Sequence, residues 1–378
     1  MIDQLTVNYS VGTTFNGGGI GYTAYNAALA SYQKKWLHHL FASSANPSEI
    51  PADLITTMGI RGELLRKLPR YFGSVGYRWH DEAFDRFVAE RLDDATIFHG
   101  WNQHSLYSLK AAKKRGSRLV LERASSHLLT AKQILEEEYR RFGVKAPVID
   151  PISLETGLAE FDETDYVLVP SQFAYQSFLE QGYPKEKLHL LPFGVDVVTF
   201  QPQPKTTGVF TFLFVGQVGL RKGIPYLLEA WEQFRNEPVR LVLAGAVQSD
   251  LQAYLQAYPI ARNISVGFVE NIKEAYSQAD VFVFPSLEEG MALVTLEAMA
   301  SGLPVITTPN AGSIVTDGED GFVVPIRDAV ALAATMKLLY QDRKLSEKVG
   351  RAASRSAQEY TWEKYRQGLT TFYQLIAT

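Results

Sequence analysis

Two carboxylates eight positions apart, Glu289 and Glu297, stand in the stretch 281–311, VFVFPSLEEGMALVTLEAMASGLPVITTPNA. The apolar run 281–284 has the length of a fully buried parallel strand, and Pro285-Ser286 ends it. A helix follows, with Leu293, Leu296, Met299 and Ala300 on its apolar face and Gly302 placed to stop it, and Val305-Ile306 opens the next strand. In such a βαβ unit Glu289 lies in the loop at a strand's carboxyl end and Glu297 in the helix beyond. Both can then face the crevice where open α/β sheets bind ligands. Taken singly, each has a plainer explanation, since the helix macrodipole favours an early Glu and a loop Glu meets water.

Other chemistry-bearing groups cluster in the first half. Gly17-Gly18-Gly19-Ile20-Gly21 joins an expected strand at 5–9 to an expected helix at 22–32. Glycines there let backbone N–H groups approach an anion at a helix start, with Gly18 and Gly19 as the closest contacts. The spacing does not fit the dinucleotide G-x-G-x-x-G pattern, and a plain flexible turn explains it as well. His99, Arg123 and His127 all fall at the ends of expected strands, 96–99 and 119–121, where they could hold a substrate hydroxyl or a phosphate.

The elements that position these groups repeat. Strands are expected at 37–42, 164–170 and 188–191, with Ser171 capping the helix 172–181. The proline-dense stretch 192–204 reads as an interdomain linker. The pattern then restarts with a strand at 210–215, the loop GQVGLRKG at 216–223, a helix at 224–234, strands at 239–244 and 264–267, and a helix at 272–279. The expectation is α/β: two facing, Rossmann-like doubly wound halves with a ligand crevice between them.

The chain has 378 residues, more than one typical domain, and 46% hydrophobic content supplies substantial cores. A formal charge of -4 gives no electrostatic argument for nucleic acid as a partner. There is no cysteine, which removes disulfides and thiolate metal sites, and there is no Asp-x-Asp motif. The first residues lack a signal-peptide pattern and no run approaches a membrane span, so a cytoplasmic protein is expected. One segment qualifies this. Residues 59–79 combine Arg61, Arg66, Lys67, Arg70 and Arg78 with Leu64, Leu65, Leu68, Tyr71, Phe72 and Trp79. Such a segment could lie on an anionic membrane at its inner face or cover an acceptor site, or simply cap the first domain as an amphipathic helix.

In order along the chain stand the glycine loop, VLVPSQFAYQSFLEQGYPKEKLHLLPFGVDVVTFQP, FVGQVGLRKGIPYLLEAW, GFV, AYSQADVFVFPS, EEGMALVTLEAMASGLPVI and YTWEKY. This series, covering nearly the whole chain, resembles the retaining nucleotide-sugar glycosyltransferases of the GT-B fold, group 1 or family 4 type. The resemblance implies an N-terminal acceptor domain, 1–198, rejoined by a C-terminal helix at 362–378, and a donor domain, 199–361. It implies that Glu297 binds the ribose and that Glu289 orients the donor sugar. The amides of Ala292, Leu293 and Val294 would hold the diphosphate, and Phe268 and Val269 would flank the base. Arg221 and Lys222 would neutralise the leaving diphosphate in place of a metal, and either His127 or Arg123 would assist from the first domain, with His127 preferred. Gln217 stands where many relatives have Arg. The implied donor is a UDP- or GDP-sugar, with no other cofactor, and the acceptor is an unidentified saccharide, lipid or small molecule. A GT-B-like epimerase or phosphorylase, or a non-catalytic GT-B binding subunit, fits the same fold.

Overall fold

The apolar runs assemble into two parallel sheets in the computed structural model, which describes residues 5–145, 147–206, 208–258 and 261–377. The first sheet contains β1 (Val7–Phe15), β2 (Leu37–Ala45), β3 (Ile55–Thr57), β4 (Ile97–Trp101), β5 (Arg118–Glu122), β6 (Tyr166–Val169) and β7 (Leu188–Leu190). Its order is β3-β2-β1-β4-β5-β6-β7. The second contains β8 (Phe210–Val215), β9 (Val239–Ala244), β10 (Ile264–Gly267), β11 (Val281–Phe284), β12 (Val305–Thr307) and β13 (Gly321–Val323), in the order β10-β9-β8-β11-β12-β13. In both, the strand order reverses beside the first strand, at β1/β4 and at β8/β11. These are the switch points where doubly wound sheets open a crevice.

Burial on both faces explains why the strands are short and apolar. Along β5, Leu119 and Leu121 join one buried cluster while Val120 joins the other; Val167 and Val169 alternate with Leu168 in the same way along β6. Successive side chains point to opposite faces, so helices must cover both.

The C-terminal helix Trp362–Ile376 completes the first half. It buries Trp362, Tyr365, Leu369, Phe372, Tyr373 and Ile376, the stripe that 3.6-residue periodicity puts on one face, and packs on the helix Ile20–Gln33. Close approach requires Gly194, because a Cβ there would lie 2.3 Å from the Trp362 nitrogen.

Several elements differ from expectation. β1 continues to Phe15, pairing Thr14 with Ser44 and Phe15 with Ala45 beyond a register shift. The 59–79 segment, for which one amphipathic helix was an option, forms a helix Ile60–Leu65 and then a longer one, Pro69–Ala89, interrupted at Gly73. Pro69 opens that helix at the position where its missing N–H costs nothing. The helices Leu128–Arg141 and Pro151–Glu163 had no counterpart in the sequence reading.

Candidate active site

At the second switch point, β11 delivers Ser286, Leu287, Glu288 and Glu289 to the crevice, and the short turn Leu220–Lys222 lies beside them. The Lys222 ammonium pairs with the Glu289 carboxylate. Arg221 donates from Nε to the Glu288 carbonyl at 2.9 Å, and its Nη2 lies 3.0 Å from the Glu288 carboxylate and 3.4 Å from that of Glu289. Burial pushes the Lys222 ammonium down to about 7, with Arg221 adding repulsion and Glu288 opposing it. Two basic side chains and two carboxylates thus stand in contact at a sheet edge.

Glu288 is the residue sequence reasoning passed over. It is 1% exposed, and it reaches across to the first half, accepting from Ser125 Oγ (2.5 Å), Ser126 N (3.0 Å) and Ser126 Oγ (2.7 Å). Burial works against its charge, but Arg221, the two serines and Arg123 outweigh it and hold the carboxyl at about 2. Ser171 Oγ donates to the Gly290 carbonyl alongside. Gly290 itself admits no side chain, since a Cβ would sit 2.3 Å from the Ala124 backbone. The loop 288–290 is therefore one strut between the two halves, beside the Arg327 contacts to Glu137 and Glu138.

Three cavities adjoin in the crevice. One of about 370 Å³ is lined by Gly17, Gly18, Gly19, Leu293, Glu297 and Trp362. The next, about 270 Å³, shares Gly19 and Leu293 with it and adds Lys222, Glu289, Ala292 and Val294. The third, about 460 Å³, shares Ile20 and Ala124 with the second and is lined by Arg123, Arg221, Glu288, His104 and Asn102. Glu297, raised by burial against a hydrogen bond from Tyr276 (2.8 Å), thus stands at one end of the row and Arg123 at the other. Leu293 and Val294 open the helix Leu293–Ala300, and their first-turn amides have no intrahelical acceptor.

The structure places four groups of expected site residues away from the open crevice or in bonds of their own. The Ala292 amide donates to the Ala311 carbonyl at 3.1 Å, so it is committed within the fold, leaving Leu293 and Val294 as the available donors. Phe268 is 89% exposed and Val269 packs against the core; neither lines any of the three cavities. His99 is fully buried, with Nδ1 2.6 Å from the Tyr373 hydroxyl and Nε2 3.3 Å from Glu122, so it anchors the C-terminal helix. His127 caps the helix Leu128–Arg141, its Nδ1 accepting from Leu129 N at 3.2 Å. The His127 ring lies against Phe161 and Phe178, and burial together with Arg123 pushes it down to about 4. It lines none of the three cavities.

Of the first-half candidates, Arg123 does face the crevice. Its Nε donates to the Ser126 carbonyl (3.0 Å) and its Nη1 to Asn102 Oδ1 (3.1 Å). Burial lowers the guanidinium to about 10, opposed by Glu288, and it stays charged at neutral pH. Asn102 is fixed in turn by Glu160, buried beneath, which accepts from its Nδ2 (2.8 Å) and from Ser105 N (2.7 Å).

Comparison with known proteins follows the same division. Residues 209–342 match the family model described as Glycosyl transferases group 1. The sulfoquinovosyl transferase SQD2 of Arabidopsis thaliana is 28% identical over 218 residues, 52% of this chain and 42% of that protein. The D-inositol 3-phosphate glycosyltransferase of Arthrobacter sp. (strain FB24) is 29% identical over 201 residues, 47% of this chain and 48% of that protein. The chain thus spans about half the length of the curated relatives it matches. Among solved structures, the sucrose-phosphate synthase of Thermosynechococcus elongatus superposes with a TM-score of 0.70 at 21% identity, covering 99% of both chains. Anabaena HepE in complex with UDP and glucose gives 0.69 at 16% identity, covering 98% of this chain and 99% of that one. The chain has the GT-B fold, and the stretch that matches the group 1 model, 209–342, lies in its second half.

Proposed function

We propose that the protein is a retaining glycosyltransferase that moves a sugar from a nucleoside-diphosphate sugar, UDP- or GDP-linked, to an acceptor hydroxyl. The observation that carries this is the row of three cavities with Glu297, the Lys222–Glu289 pair and Arg123 set along it in that order. A carboxylate at the first cavity can accept from the two ribose hydroxyls. The free amides of Leu293 and Val294, with the helix dipole and Lys222, suit a diphosphate in the second. Glu289 is placed to accept from sugar hydroxyls where the second cavity meets the third, and the third leaves room for an acceptor against the first half. The HepE structure holds UDP and glucose, which supports a donor of this class.

In the reaction, the acceptor oxygen attacks the anomeric carbon from the face that the diphosphate leaves. The bond from that carbon to the β-phosphate oxygen breaks, and this oxygen takes the acceptor's proton. Charge develops on the leaving diphosphate, and Lys222, Arg221 and the helix amides stabilise it without a metal ion. The first half contributes Arg123, held by Asn102 and Ser126, rather than His127. The first half, with the C-terminal helix, holds the acceptor; the second holds the donor.

The test is incubation with UDP- and GDP-sugars together with candidate acceptors. Release of nucleoside diphosphate with a new glycoside of retained anomeric configuration is expected. An isomerised donor, or no turnover with any donor that binds, would overturn the reading.

A further inference from the structure

Exposed apolar surface is unevenly distributed over this molecule. Among the described residues, four of the five exposed aromatic side chains, Tyr71, Phe72, Tyr77 and Trp79, fall within nine positions of the helix Pro69–Ala89. Ile60 and Leu64, 78% and 60% exposed, extend the patch onto the preceding helix Ile60–Leu65. Exposed apolar side chains concentrated in this way mark a contact with something else.

Its charge says what kind. Arg61, Arg66 and Lys67 are exposed on the same segment, and none of the three has a carboxylate partner among the described residues. Arg66 reaches instead to Thr14 Oγ1 at 2.7 Å, at the end of β1. Beside them opens a groove of about 630 Å³, with Leu64, Leu65 and Phe87 in its floor and Arg61, Arg86 and Arg91 around it. Arg86 pairs with Glu82 and Arg91 with Glu90, both on the exposed surface, where such pairs give way readily to a stronger anion. The whole chain carries a formal charge of -4, so this cationic, aromatic face stands against the balance of the molecule.

The patch also adjoins the crevice. Ser74 and Tyr77, on the same helix, line the 460 Å³ cavity that contains Arg123 and Arg221. We propose that residues 60–79 and the neighbouring groove dock the first half on an anionic phospholipid bilayer, and that the acceptor is a membrane-borne amphiphile whose hydroxyl end enters the 460 Å³ cavity past Tyr77. Aromatic rings enter the headgroup region, the groove takes an acyl segment, and the arginines and Lys67 meet lipid phosphates. The account of the acceptor rests on the transfer reading above; the docking surface does not.

The experiment is co-sedimentation with vesicles of phosphatidylcholine, with and without phosphatidylglycerol, followed by Trp79 emission, since the other tryptophans are wholly or partly buried. The protein is expected to bind the anionic vesicles with a blue shift that Trp79→Phe removes. Arg61→Glu/Lys67→Glu and, separately, Tyr71→Ser/Phe72→Ser are each expected to weaken binding roughly tenfold or more, with melting temperature unchanged because all four side chains are exposed. Failure to bind anionic vesicles overturns the proposal, as does binding that survives both pairs of substitutions. Equal binding to heparin that ignores the aromatic pair would make the face a site for an acidic macromolecule, and overturns it too. Donor binding, read by thermal shift on the same preparations, reports separately on the transfer reading.

Discussion

The two halves share one architecture but treat the ends of their strands in opposite ways. At the β8/β11 edge the charged groups stay in the crevice: Lys222 lies against Glu289, Arg221 bridges two carboxylates, and a helix begins beside them with amides to spare. At the β4/β5 edge the titratable groups turn inward, His99 towards Tyr373 and Glu122, His127 onto its own helix. For His99 and Glu122 the difference follows from the C-terminal helix. It lies on the first sheet and supplies buried hydroxyls that need partners, so polar groups at that edge serve cohesion, while the second edge has no such cover. Arg123 is the exception, drawn to the crevice by Glu288 from across it.

The largest effect expected from this contrast is on Lys222. Lys222→Ala removes the cation nearest the second cavity and should lower kcat by about 10²–10³-fold, with a smaller change in KM, because the stabilised charge develops on the leaving group. Steady-state release of nucleoside diphosphate measures it. A loss confined to KM would mean that the second edge merely binds its ligand, and the proposed division of labour would fail.

Glu288 tests the seam between the halves. Its carboxyl is held at about 2 when folded against an ordinary 4.5, so the unfolded chain takes up the proton first as pH falls. The stabilisation is complete above 4.5 and is lost between 4.5 and about 2; at 1.36 kcal/mol per unit it is worth about 3 kcal/mol. Urea melts of the native protein and Glu288→Gln should differ by that order at pH 7 and converge as the pH drops below 4. A difference that does not vary with pH would show that charge is not what Glu288 contributes.

How far the sequence foretold these features depends on how local they are. The 281–311 unit was legible because strand length, the Pro285 break and the helical spacing of Leu293, Leu296 and Ala300 all lie within a few residues of one another. Glu288 was not, because its partners Ser125 and Ser126 are 163 and 162 positions away, and nothing nearby distinguishes it from Glu289. His99 finds Tyr373 across 274 positions, so its reading as a candidate ligand group was a reading of strand position alone. His127 is different. Its place directly before Leu128-Leu129 was a local capping signal, hidden because histidine is a less usual cap than the serines before it.

That cap supplies the next test. His127→Asn keeps a side-chain acceptor for the Leu129 amide, while His127→Ala loses both the bond and the ring packing on Phe161 and Phe178. The alanine variant should lose about 1 kcal/mol or somewhat more of stability, the asparagine variant less, and both should keep kcat within about threefold. Should both variants lose a hundredfold in kcat at unchanged melting temperature, His127 acts in the chemistry and the contrast between the two edges collapses.

The smallest effect expected is none at all, and it falls on metal. Phosphate leaving groups need fixed positive charge, and in the proposed reaction it comes from Arg221, Lys222 and the amides that open the helix Leu293–Ala300. Arg221 and Lys222 are already held by Glu288, Glu289 and the contacts to Ser125 and Ser126, so the proposed reaction calls on no ion to assemble them. Turnover measured with excess EDTA should therefore match turnover with magnesium or manganese present, at every donor concentration. The comparison matters most in Lys222→Ala: if the cationic side chain does the work of a metal, adding a divalent ion should not restore that variant. Activity that EDTA abolishes in the native protein, and that only a divalent ion recovers, would move the source of positive charge off the second edge and break the assignment of Lys222.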